Sequence, residues 1–236
     1  MNYWKEIKRT RKVVLRFLKD LWSKDLFRFT RSSTKVIPFE HALSLRQEIK
    51  KNETFESKVF NFKEASKQIN THVIMPNEIF SFWHIIGNPE RQFKKGRTIQ
   101  NGKIIEEVGG GLCQVSGIIY HMSLIGGLKV IERYNHSVDI YSEESRFCPL
   151  GTDATIVYGY KDLRVQNTHA FPIQFEMEVR EDTFLQVKLL STLKLEENKL
   201  IFNIENSENG RKVQLFNEDN QLLSTSNYKI IPELIS

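Results

Sequence analysis

Apolar positions across residues 2–29 recur with helical spacing: Trp4, Ile7, Val14, Leu18, Leu21, Trp22 and Phe29 fall near one stripe, with Arg11 intruding. Lys5, Lys8, Arg9, Lys12, Arg16 and Lys19 lie mostly off that stripe. Residues 39–51 read as a second helical stretch, and 62–71 as a third, with Phe62, Ala65, Ile69 and Val73 on one face before Pro76-Asn77 breaks the chain. Residues 78–83 read as a short strand, and 90–111 as a glycine-punctuated loop. Beyond Cys113 the pattern is helical again: Val115, Ile118, Ile119, Met122 and Ile125 share a face, and Gly126-Gly127 ends it.

The period then changes to two. Residues 129–134 and 154–160 are strand candidates, and Ile173, Phe175, Met177 and Val179 alternate with Gln174, Glu176, Glu178 and Arg180. A turn at Glu181-Asp182 leads to Leu185, Val187 and Leu189, and Asn209-Gly210 joins two further strands as a hairpin. The pattern predicts an α+β fold: N-terminal helices, then a central buried helix carrying Cys113 at its start, packed on a mainly antiparallel β-sheet. It divides the chain into a basic amphipathic helical arm (1–56), a core domain (57–191) and a small C-terminal β appendage (192–236).

Charge sharpens the picture of the arm. The 236-residue chain has net charge +5, yet residues 1–35 hold eleven Lys/Arg against three Asp/Glu, so the basicity belongs to the arm. Three readings stand: a surface helix packed on its own domain with a solvated Lys/Arg face, contact of residues 1–30 with an anionic membrane surface, and nucleic-acid binding, which is not expected. No apolar run is long enough to span a bilayer and none follows the N-terminal charges as a signal peptide would, so a cytoplasmic protein is expected, peripheral at the inner membrane face if the arm meets lipid. Two cysteines, Cys113 and Cys148, make a disulfide framework improbable, and no metal-ligand spacing or cofactor fingerprint is present, so neither metal nor cofactor is expected.

One stretch carries chemistry. Gly109, Gly110 and Gly111 precede Cys113 at a helix start, where free N–H groups and the helix dipole favour a thiolate. The glycines allow positive φ and a close approach to a ligand, and nearby N–H groups with the Gln114 side chain offer an oxyanion site. Ser116 lies one turn further on. A thiolate needs a cationic partner or base; His136 follows the next strand and Asp153 opens the one after, giving a Cys113, His136, Asp153 order. The alternative is a small buried cysteine at a tight helix start, a histidine bridging strands and an aspartate bonded to a turn.

Several blocks, in order, resemble the VanW family. Gly109-Gly110-Gly111-Leu112-Cys113-Gln114-Val115-Ser116 resembles its central signature. Pro76-Asn77-Glu78-Ile79-Phe80-Ser81-Phe82 resembles a Pro-Gly-Glu-x-Phe-Ser-Phe block, with Asn77 in place of glycine. Glu132 to Ser137 resembles Glu-Arg-x-x-His-Ser, and Pro149 to Thr155 resembles Pro-x-Gly-x-Asp-Ala-Thr/Ser; Tyr158 to Leu163 and Asn167 complete the set. Gly117-Ile118-Ile119-Tyr120 departs from the family's frequent Thr-Thr-Leu-Tyr. The resemblance covers about residues 57–180 and implies a bacterial cell-envelope, glycopeptide-resistance setting without an established activity. Two functions follow as expectations. One is a cysteine-dependent hydrolase or transferase acting on an amide or peptide resembling a cell-wall precursor. The other is a non-catalytic ligand-binding or membrane-surface accessory protein that grips a small molecule or peptide with its Gly-rich loop. Catalytic roles fall to Cys113, His136 and Asp153, and ligand contacts to Gly109, Gly110, Gly111, Gln114 and Ser116.

Overall fold

A computed structural model describes residues 3–100, 103–139, 146, 148–208 and 210–230. The chain opens with α1 (Tyr3–Trp22) and a 3-10 turn (Asp25–Phe27), followed by β1 (His41–Glu48) and α2 (Phe55–Ile69). Short elements β2 (Val73–Ile74), β3 (Ile79–Ser81) and α3 (Phe82–Ile86) come next, then the hairpin β4 (Lys95–Gln100) and β5 (Lys103–Val108). The central helix α4 (Leu112–Ile125) leads to β6 (Lys129–Glu132), β7 (Val138–Asp139), β8 (Arg164–Gln166), β9 (Ile173–Arg180) and β10 (Phe184–Ser191). Strands β11 (Ile201–Ser207), β12 (Gly210–Phe216) and β13 (Leu222–Ile230) end it. Among the described residues the sheets are ordered β1-β10-β9-β2, β11-β12-β13-β7 and β3-β8-β6, with β4-β5 a separate hairpin.

The fold is α+β, and α4 is its centre. Leu112, Val115, Ile118, Ile119, Tyr120, Met122 and Leu124 are all buried, so this helix is enclosed on every side rather than on one stripe. It packs on β1 and β10 and against α2 and β6. Strand pairing is antiparallel apart from β13 with β7. The β9–β10 hairpin turns at Glu181 and Asp182, both at φ 52, the left-handed pair that a tight primed turn requires.

Three expectations are corrected. Residues 39–51 are not helical: β1 pairs with β10 along its full length. Its Ala, Leu, Arg, Gln and Glu favour a helix, but Leu43 and Leu45 lie two apart and the open edge of β10 offers a full ladder, so tertiary pairing overrides propensity. Residues 90–111 hold the β4–β5 hairpin and not merely a loop. Residues 154–160 form no ladder; Val157 and Lys161 bond each other across a closed turn in which Gly159 takes φ +82.

The glycines before α4 are explained by packing. A Cβ at Gly110 would lie 2.3 Å from the carbonyl carbon of Gly96 on β4, and one at Gly111 would strike Lys58 and Phe62 of α2 at 2.8 and 2.9 Å. Asn61 on α2 fastens this crossing: its amide donates to the carbonyls of Lys94 and Gly110 at 2.9 and 3.0 Å and accepts from the Lys94 amide at 2.8 Å. Asn77, where the resembling block has glycine, sits at φ 67, a conformation that asparagine tolerates.

Helix α1 packs against the body by its charged side. Arg9 pairs with Glu90 at 3.1 Å, Arg16 with Glu132 at 2.7 Å and Asp20 with the buried Arg164 at 2.6 Å, while Val13 closes over Gly159. Its apolar stripe faces outward. The expected solvated Lys/Arg face is therefore only partly realised, because Glu90 and Glu132 of the body pair with Arg9 and Arg16. Among the described residues no helix is long and apolar enough to cross a membrane.

Gly110→Ala should destabilise the fold by about 1–3 kcal/mol or more, because the new methyl would meet the backbone of Gly96. Gly117→Ala in α4 should be neutral or stabilising by up to about 1 kcal/mol, since its Cβ would meet Ala154 at an ordinary 3.6 Å. Urea unfolding of the two variants checks the contrast; equal losses would show that the Gly96–Gly110 crossing is not close-packed.

Candidate functional site

Cys113 is the second residue of α4, directly after the left-handed cap Gly111 at φ 92. The first turn of any helix leaves N–H groups without intrahelical acceptors. Here the Leu112 amide bonds the Gly109 carbonyl and that of Gln114 bonds Gly111, while the Cys113 amide has no backbone acceptor among the described residues. The half-buried sulfur lies 3.8 Å from the Thr155 hydroxyl and 3.9 Å from the Ile156 carbonyl.

His136 and Asp153 converge on that sulfur. The His136 ring lies beside the Cys113 sulfur, near enough for each to shift the other's ionisation. On its other side the ring uses Nδ1, 2.6 Å from Asp153 Oδ2, which also accepts the His136 backbone amide at 2.7 Å. The second carboxylate oxygen accepts Arg133 Nη2 at 3.0 Å and the Tyr228 hydroxyl. Arg133 is held in turn by the carbonyls of Asp153 and Gly151 and by the Ser226 hydroxyl. One edge of the imidazole is open, its side chain being 40% exposed.

The ionisation of the three groups follows from these contacts. Burial works against a charged ring at His136, but the bonds to Asp153 and Cys113 and their charges outweigh it and raise its pKa to about 10. Burial likewise opposes a thiolate at Cys113, yet the bond and charge of His136, with help from Ile156 and Thr155, bring it below the usual thiol value. Asp153 is buried too, but His136, Arg133 and Tyr228 hold it far below the ordinary carboxylate range. Cys148 behaves oppositely: burial and the Asp153 charge push it up to about 12.

The remaining expected ligand residues are placed differently. Gln114 is buried and donates to the Glu48 carbonyl at 2.9 Å; Ser116 is buried and donates to the Ala154 carbonyl at 2.7 Å. These bonds tie α4 to β1 and to the segment after Asp153. Gly109, Gly110 and Gly111 lead into the helix start, with Gly109 turned to Leu112, Gly110 to Gly96 and Gly111 to α2. Ile118 and Ile119 of the departing block lie wholly in the core. Among the described residues no group of His, Cys, Asp and Glu is arranged to hold a metal ion.

A family model described as "VanW like protein" matches residues 57–190. The chain belongs to the VanW family. Among its VanW-family relatives it is 40% identical over 114 residues to "Vancomycin B-type resistance protein VanW" of Enterococcus faecalis, covering 48% of this chain and 42% of that protein. It is 36% identical over 124 residues to "Uncharacterized protein YoaR" of Bacillus subtilis, covering 52% of this chain and 39% of that protein. The matches thus span about two-fifths of each relative. No solved structure gives a significant match.

Two residues at the VanW site escaped the reading of the sequence. Arg133 stands inside the Glu-Arg-x-x-His block, so its position was visible, but nothing in that spacing says that it grips Asp153. Tyr228 lies on β13, beyond the stretch that the family model matches, and no local signal marks it.

Iodoacetamide should alkylate Cys113 about tenfold or more faster than Cys148 at pH 7, because only the thiolate reacts. The Cys113 rate should fall as pH drops through its lowered pKa, whereas Cys148 should stay slow until strongly alkaline pH. His136→Ala removes the stabilising cation and should slow Cys113 at neutral pH. Matching pH profiles for the two thiols, read by peptide mass spectrometry, would refute the activated thiolate.

Proposed function

We propose that the site breaks or exchanges an amide bond by covalent thiol chemistry, on a peptide of the cell-wall precursor class. The observation that carries the reading is the His136 ring, bonded through Nδ1 to the Asp153 carboxylate at 2.6 Å and set beside a sulfur at a helix start. In this scheme the Cys113 thiolate adds to the amide carbonyl carbon, and the developing oxyanion meets the free N–H of Cys113 at the helix start. The C–N bond breaks as His136 gives its proton to the leaving amine, and a thioester remains on sulfur. Water or a second amine then adds to that thioester, His136 takes the proton of the incoming group, and Cys113 leaves as thiolate. Asp153 orients the ring and balances its charge without taking the proton itself. The glycopeptide-resistance setting comes from the name of the Enterococcus faecalis relative and is part of the proposal.

The second reading, a ligand-binding accessory protein, is favoured by one feature: Asp153 accepts from His136, Arg133 and Tyr228 at once, a pattern that also suits a hub holding chain segments together. The two readings separate in one experiment. The intact protein is incubated with peptidoglycan stem peptides, quenched in acid and digested. Catalysis predicts an acyl mass on the Cys113 peptide and loss of turnover in Cys113→Ala with the fold retained. His136→Ala should reduce turnover by about 10²–10⁴-fold. Absence of any adduct, together with peptide binding that Cys113→Ala leaves unchanged, would reject catalysis in favour of the accessory reading.

A further inference from the structure

The orientation of α1 points to a partner. Its inward face is Arg9, Val13, Arg16 and Asp20, spaced four, three and four residues apart, and ion pairs to Glu90, Glu132 and Arg164 hold that face to the body. Rotation about the helix by half a turn brings Trp4, Ile7, Val14, Leu18, Leu21 and Trp22 to the surface. The exposure is large: Trp4 is 69% exposed, Leu18 52% and Trp22 89%. A continuous apolar stripe of this size on an ordinary surface helix would face the core, and its outward placement marks an interaction surface. The charges beside the stripe select the partner. Arg11 lies within it, and Lys8, Lys12 and Lys19 run along one flank, all exposed, while Asp20 is buried in its pair with Arg164. Two such faces pressed together would set cations against cations. A bilayer of anionic lipids accepts both parts of the pattern, with leucines and tryptophans at the acyl boundary and Lys/Arg at the headgroups.

We propose that α1 lies in the plane of an anionic lipid surface by this outward face, as a peripheral anchor fixed to the domain by its charged side. The same segment that receives α1, through Gly159 and Asp162, also lines the Cys113 sulfur through Thr155 and Ile156. Docking therefore places the thiol site behind α1, about 10 Å of helix and one short loop away from the lipid surface. The inference stands independently of the thiol chemistry.

The test uses the full chain and vesicles of phosphatidylcholine with or without phosphatidylglycerol. Co-sedimentation should require the anionic lipid and weaken as salt rises to about 0.5 M, where screening is short-ranged. Tryptophan emission should shift to the blue on binding. The double variant Leu18→Ser, Trp22→Ser alters only outward side chains; it should keep its circular dichroism and its Cys113 labelling rate, yet lose about tenfold or more in vesicle affinity. Three results would overturn the proposal: no binding to anionic vesicles at low salt, binding that the double variant leaves intact, or a lipid-free dimer in light scattering that the double variant dissolves, which would assign the face to a second copy of the chain.

Discussion

The Asp153 carboxylate organises the region around Cys113, because a buried charge is tolerated only when donors surround it. Its donors come from separate parts of the chain: Arg133 at the end of β6, both the ring and the amide of His136 before β7, and Tyr228 on β13. Remove the carboxylate and Arg133 loses its ionic partner, His136 loses the contact that sets its tautomer, and β13 keeps only the Ser226 bond to Arg133.

The start of α4 is the second constraint. A thiol gains from a helix N-terminus only if backbone can reach that point without side chains in the way. The β4–β5 hairpin and α2 crowd it so closely that Gly110 and Gly111 have no room for a Cβ and Gly96 has little, and Asn61 ties the crossing together. The triple glycine thus contributes to the site mainly by allowing close packing, with the Cys113 amide left without a backbone acceptor. Gln114 and Ser116 use their side chains to anchor the helix on either side.

The C-terminal sheet and α1 both reach the same region from outside the family-matched stretch. Strand β13 contributes Tyr228 and Ser226 to the Asp153–Arg133 pair, and α1 settles on the 159–164 segment through Val13, Arg16 and Asp20. Elements that look peripheral along the chain are therefore coupled to the site, one by hydrogen bonds to its carboxylate and the other by ion pairs to the loop behind it.

Local pattern was enough for the α+β class, the buried helix with Cys113 at its start, the β9–β10 hairpin and the family, because each rests on short-range periodicity, a turn pair or a contiguous motif. Cys113, His136 and Asp153 were legible as candidates through their blocks and order, although order alone carries no distance between them. Tertiary structure decided what depends on partners distant in the chain. Residues 39–51 became a strand because the edge of β10 was open to them, which no helix propensity records. Residues 154–160 form no ladder, because Val157 and Lys161 close a turn on each other. The face that α1 turns inward meets Glu90, Glu132 and Arg164, far along the chain, which pair with Arg9, Arg16 and Asp20. Tyr228 reached Asp153 only because β13 runs beside β7. In each case periodicity says which residues share a face, and only the assembled fold says what that face meets.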